Sequence, residues 1–67
     1  MIYLNLNSIL GEKRIKMSEL SVMSGVNKNT ILAMYHNKQR RVDLEVLDKI
    51  CKALNCDVTD IIKFKQD

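Results

Sequence analysis

Apolar residues recur through most of the chain at intervals of three and four, the spacing of one face of an α-helix, and at the two ends they alternate with polar residues. Leu6, Ile9 and Leu10 predict a first helix, with Asn5 placed to cap it and basic residues between Lys13 and Lys16 suited to the negative end of its dipole. Ser18 is placed to cap a second helix, with Glu19 in the first turn and Met17 set to pack on Val22. Gly25 supplies a left-handed stop. Asn27 then caps a third helix by accepting from the amide of Asn29 or Thr30, Val26 staples onto Ile31, and Ile31, Met34 and Tyr35 form its buried stripe. Asn37 suits the left-handed residue at its end. The polar stretch 37–42 reads as a loop. Asp43 caps a fourth helix, Val42 staples on Leu47, and Leu44, Leu47, Ile50, Cys51 and Leu54 make its apolar face. Asn55 ends it, and Asp57 caps a short fifth helix from about Val58 to Ile62. At the termini, Ile2, Leu4 and Leu6 and then Ile62 and Phe64 alternate with polar or amphipathic residues, which predicts a small antiparallel ribbon. Such a ribbon is marginal alone and needs the helices or another subunit to pack on.

Length restricts what this pattern can build. Sixty-seven residues make one domain, residues 1–67, and exclude most enzyme architectures. A composition 46% hydrophobic and 28% charged, without proline or tryptophan, describes a globular chain and not a disordered one. A domain of this size buries only about 60% of the surface its unfolded chain exposes, so a further source of stability is expected. Cys51 and Cys56 are too few and too close for a disulfide framework, and His36 has no evident metal partner. Dimerisation is the remaining candidate. The N-terminus lacks the features of a signal peptide, and no apolar run approaches the roughly 18 residues of a membrane span. A cytoplasmic, reduced setting with no metal, cofactor or membrane is therefore expected.

Charge refines the picture once it is located. The formal net charge is +3. Residues 13–41 hold seven cations, Lys13, Arg14, Lys16, Lys28, Lys38, Arg40 and Arg41, against Glu19 alone, whereas residues 42–62 hold five acids against Lys49 and Lys52. A basic half of this kind points to a polyanion, nucleic acid before an anionic membrane, with a merely solvated charge run as the alternative.

The basic half contains the most informative spacing. Within residues 17–36, Ser21 provides a small residue where two helices cross, Gly25 a turn four residues later, and Ile31 and Met34 the packing positions of the second helix. That spacing describes a helix-turn-helix. The run from Leu20 to Lys38, followed by VDLEVLDKICKALNCDVTDIIKF from Val42 to Phe64, resembles the phage-repressor (Cro/CI-like, XRE) family. Ser21 stands where that family usually has alanine, a small-for-small exchange.

The resemblance implies a mainly α, five-helix lambda-repressor-like domain, here with the terminal ribbon, acting as a sequence-specific regulator of transcription. Its expected partners are double-stranded DNA and a second copy of the chain, and repression at a two-fold-related operator is the leading role. In such proteins the second helix of the motif enters the major groove. Base readout then falls to Lys28, Asn29 and Ala33. Lys28 can donate to guanine, Asn29 matches the donor and acceptor of adenine, and Ala33 can contact a thymine methyl. Phosphate contact or positioning is assigned to Met17 and Ser18 at a helix N-terminus, to Asn27 and Thr30, and to the loop residues Asn37, Lys38, Arg40 and Arg41. Lys13, Arg14 and Lys16 are weaker candidates, and His36 suits either a phosphate or the helix dipole. No arrangement of nucleophile and base or of paired carboxylates supports catalysis. A protein-interaction or antitoxin-like module on the same fold is the alternative function, and RNA binding is a third, disfavoured by the small number of aromatic residues.

Overall fold

Caps and left-handed residues divide the chain into short elements whose order is β1 (Ile2–Leu4), α1 (Leu6–Lys13), α2 (Met17–Ser24), α3 (Lys28–Tyr35), α4 (Leu44–Leu54), α5 (Val58–Ile61) and β2 (Ile62–Phe64). They belong to a computed structural model that describes residues 1–38 and 41–66. Asp43 Oδ1 accepts from the Glu45 amide at 2.8 Å, and Asp57 Oδ1 accepts from the Thr59 amide at 3.4 Å, so α4 and α5 begin at the expected caps. Asn55 and Asn37 both adopt positive φ, as does Arg14 at the end of α1. Asn5 occupies the cap position of α1, but its side chain makes no cap bond. Its amide instead donates to the Ile61 carbonyl at 2.6 Å.

Three local expectations are corrected. The cap of α2 is Lys16 and not Ser18, because Glu19 reaches back to accept from the Lys16 amide at 3.1 Å and draws the helix start forward to Met17. Val22 is then 85% exposed and makes no staple with Met17. Leu44 is 80% exposed although it stands at helical spacing from the core residues of α4. At about 100° per residue, Leu47, Ile50 and Leu54 centre the buried stripe, and Leu44 stands roughly a quarter turn away from it.

Leu6, Leu20, Ile31, Met34, Ile50 and Ile61 are the fully buried large side chains, one or two from each helix, so the core lies where all five meet. Burial of that kind is what short helices require, since eight residues are too few to be stable in water alone. The termini pair antiparallel in the register Ile2↔Phe64, Tyr3↔Lys63 and Leu4↔Ile62. Leu4 is buried against the core, whereas Ile2 and Phe64 overhang it, 70% and 69% exposed. No helix among the described residues is long and apolar enough to cross a membrane.

Gly25 closes α2 with φ near +75°, and its amide donates to the Ser21 carbonyl at 2.9 Å. A methyl group there meets no atom within 4 Å, so substitution is opposed by backbone conformation alone. Gly25→Ala is expected to cost roughly 1–2 kcal/mol, read as a lower urea midpoint at unchanged slope.

Candidate nucleic-acid interface

The turn between α2 and α3 is held by serine side chains. Ser21 Oγ donates to the Val26 carbonyl at 2.7 Å, and Ser24 Oγ donates to the Leu20 carbonyl at 2.6 Å while accepting from the Val26 amide at 3.2 Å. The residue standing in place of alanine therefore ties the turn as well as leaving room for the helices to cross. Asn27 Oδ1 accepts from the Asn29 amide at 2.7 Å and starts α3. With Ile31 and Met34 fully buried, the rotation of α3 is set, and its opposite side faces solvent.

Lys28, Asn29 and Asn27 are exposed at the N-terminal end of that solvent face, whereas Thr30 and Ala33, three residues apart and so on one side of the helix, are half-buried at its margin. Leu32, absent from the sequence-based set, is 42% exposed. It lies four residues after Lys28 and three after Asn29, hence on the same face. The signal was present in the sequence: once Ile31 is assigned to the core, the next residue must point about 100° away. His36 is exposed at the helix end, its ring meeting that of Tyr35 edge-on at a centroid distance of 5.1 Å.

Beyond α3 the chain turns sharply. The Lys38 amide donates to the Ala33 carbonyl at 2.9 Å and the Asn37 amide to the Met34 carbonyl at 3.1 Å, a Schellman closure around the left-handed Asn37. This brings the backbone of exposed Lys38 against the last turn of the same helix. Arg41 is exposed as well, and Arg40 lies outside the described residues. The Asn37 side chain is engaged elsewhere: its Oδ1 accepts from the Leu4 amide at 2.6 Å and its Nδ2 donates to the Leu4 carbonyl at 2.9 Å. That amide takes the place of a neighbouring strand and ties the end of α3 to the terminal ribbon. Ser18 is exposed and Met17 half-buried at the start of α2, where the Glu19 carboxylate already lies against the Lys16 amide.

Ion pairing divides the surface in the same way as the sequence. Among the described residues the ion pairs are Lys49 with Glu45 at 3.8 Å and Lys52 with Asp48 at 3.0 Å, both along α4. The described cations of the basic half take no part in them. Lys28, Lys38 and Arg41 are exposed and make no ion pair among the described residues.

A family model for the Cro/C1-type HTH DNA-binding domain matches residues 5–67. The uncharacterized HTH-type transcriptional regulator YozG of Bacillus subtilis is 29% identical over 66 residues, which is 98% of this chain and 79% of that protein. Among solved structures, a candidate DNA-binding protein from Bacteroides fragilis superposes with a TM-score of 0.80 at 28% identity, over 94% of this chain and 100% of that one. The transcriptional regulator VanUg superposes with a TM-score of 0.75 at 38% identity, over 92% of this chain and 81% of that one.

Proposed function

Since the chain belongs to the Cro/C1-type helix-turn-helix DNA-binding domain family, we propose that it binds specific double-stranded DNA as a homodimer, with α3 in the major groove, and represses transcription from the sites it occupies. Its relatives are transcriptional regulators and the protein is not an enzyme. The observation that carries the reading is the solvent face of α3. Lys28, Asn29 and Leu32 stand exposed on a helix whose other side is anchored in the core, and Lys38 and Arg41, in no ion pair among the described residues, come after it in the chain.

Roles follow from side-chain chemistry. The Lys28 ammonium donates to guanine O6 or N7, and the Asn29 amide offers the donor and acceptor that match adenine N6 and N7. Leu32 and Ala33 supply apolar contact for a thymine methyl. Lys38, Arg40 and Arg41 hold phosphates, and Asn27, Thr30, Met17 and Ser18 position the DNA backbone. Asn37 contributes through its grip on Leu4, which fixes the end of α3 against the ribbon.

The homodimer rests on the ribbon. Ile2 and Phe64 are paired side by side, apolar and mostly uncovered, and a second copy would cover them. A two-fold dimer sets its recognition helices about 34 Å apart, one helical turn of DNA. Binding to DNA also calls for the compartment that holds it, in keeping with the cytoplasmic setting expected from two unpaired cysteines.

Asn29→Ala tests the readout. On the preferred site it is expected to cost about 1–3 kcal/mol and to relax preference at one base pair in each half-site. Competition binding against single-base variants of that site measures it, and an unchanged preference profile removes Asn29 from base readout.

A further inference from the structure

Three helices of this protein end alike. In α1, α3 and α4 a left-handed residue turns the chain, and the amide of the next residue reaches back: Ile15 to the Leu10 carbonyl at 3.0 Å, Lys38 to Ala33 at 2.9 Å, and Cys56 to Cys51 at 3.1 Å. This closure is commonly accompanied by an apolar contact between the two residues it joins. In α1 those residues are Leu10 and Ile15. In α4 both are cysteines.

The backbone bond constrains what the two thiols can do. With donor and acceptor 3.1 Å apart, covalent bond lengths alone keep the Cα atoms of Cys51 and Cys56 within about 7 Å, the reach of a disulfide. Both thiols are free. Both are half-buried and line one open groove of about 700 Å³ between α4 and α5, rimmed by Asp48, Asp57 and Asp60. Burial, the neighbouring Cys51 and the Asp60 carboxylate push the Cys56 thiol up, which keeps it protonated in the resting protein.

We propose that Cys51 and Cys56 form a modification site that closes to an internal disulfide by exchange with a low-molecular-weight disulfide. The Cys51 thiolate attacks one sulfur of the small disulfide, forming a mixed disulfide and releasing one small thiolate. Cys56 then loses its proton to water and attacks the Cys51 sulfur, releasing the second. Two protein thiols are oxidised, one small disulfide is reduced to two thiols, and the electrons balance. Closure locks the corner from α4 into α5, which runs straight into β2.

Cystamine is the suitable probe, because its two ammonium groups match the acidic rim. Treating the folded, reduced protein with it is expected to remove both thiols, lower the intact mass by two hydrogens, and yield a Cys51–Cys56 cross-linked peptide on digestion. Dithiothreitol reverses the change. Cys51→Ser and Cys56→Ser each stop at one persistent cystamine adduct, and the closed form melts at a higher temperature than the reduced one. Two persistent adducts per wild-type chain, a disulfide-linked dimer, or thiols that react only in denaturant would overturn the site. Complete closure with unchanged melting would overturn the lock.

Discussion

Ile31→Ala is expected to remove about 2–5 kcal/mol of stability by opening a cavity behind α3. Ile31 is fully buried on α3, among core residues that include Leu20 of α2 and Ile50 of α4. Truncation there deletes three carbons and leaves a cavity that three short helices cannot close without giving up other contacts. A chain of 67 residues has a total stability of roughly 3–10 kcal/mol, so the loss takes away much of it. The melting temperature should fall by about 10 °C or more, and the urea midpoint should fall with it. Ile31→Val, which deletes one methyl group, should cost only about 0.5–1.5 kcal/mol. Circular dichroism against urea measures both, and an unchanged midpoint for the alanine variant would mean that α3 is not anchored through this face. DNA binding should weaken in the same order, because Lys28 and Asn29 are aimed by what lies behind them.

The second large effect concerns salt. If Lys38, Arg40 and Arg41 of each protomer neutralise phosphates, a dimer makes six such contacts, and log affinity should fall with log salt at a slope of about −5. Raising monovalent salt from about 50 to 200 mM then weakens binding by roughly 10³-fold. Arg41→Ala separates one protomer from two. A dimer loses two contacts and its slope becomes shallower by about 2, whereas a monomer loses one contact and the slope changes by about 1. A slope that Arg41→Ala leaves unchanged would place the loop away from the DNA. Tight binding to another protein, with only weak and uniform affinity for duplexes, would favour the interaction-module reading.

What could be read from the sequence was mainly what is local. Asn27, Asp43 and Asp57 cap helices because a side-chain oxygen two residues from an amide needs no tertiary partner to reach it. Gly25, Asn37 and Asn55 stop helices for an equally local reason, their tolerance of positive φ. The ribbon was legible from alternation at both ends, and its register follows from setting Leu4 and Ile62 toward the core. The start of α2 was misplaced, since Ser18 looked like the cap while the reach of Glu19 back to the Lys16 amide starts the helix at Met17. Leu44 shows the limit of spacing rules. It lies near the edge of the apolar stripe of α4, and only the packing of neighbouring helices sets how far that stripe extends.

The bond between Asn37 and Leu4 could not be read at all, because its partners lie 33 residues apart. It is also the contact that joins the proposed dimer element to the proposed readout helix. The candidate interface was therefore legible as a set of residue types, Lys28, Asn29 and the loop cations, while the coupling of that set to the ribbon came only from the fold.

Selection of bound fragments from a pool of random duplexes tests whether the protein reads DNA sequence. Purified protein at about 100–150 mM salt should enrich a two-fold-related sequence whose half-sites are centred about 10 base pairs apart, and Asn29→Ala should lose the preference at one position in each half. Recovery of a random pool, with no motif enriched over input after repeated rounds, would contradict sequence readout.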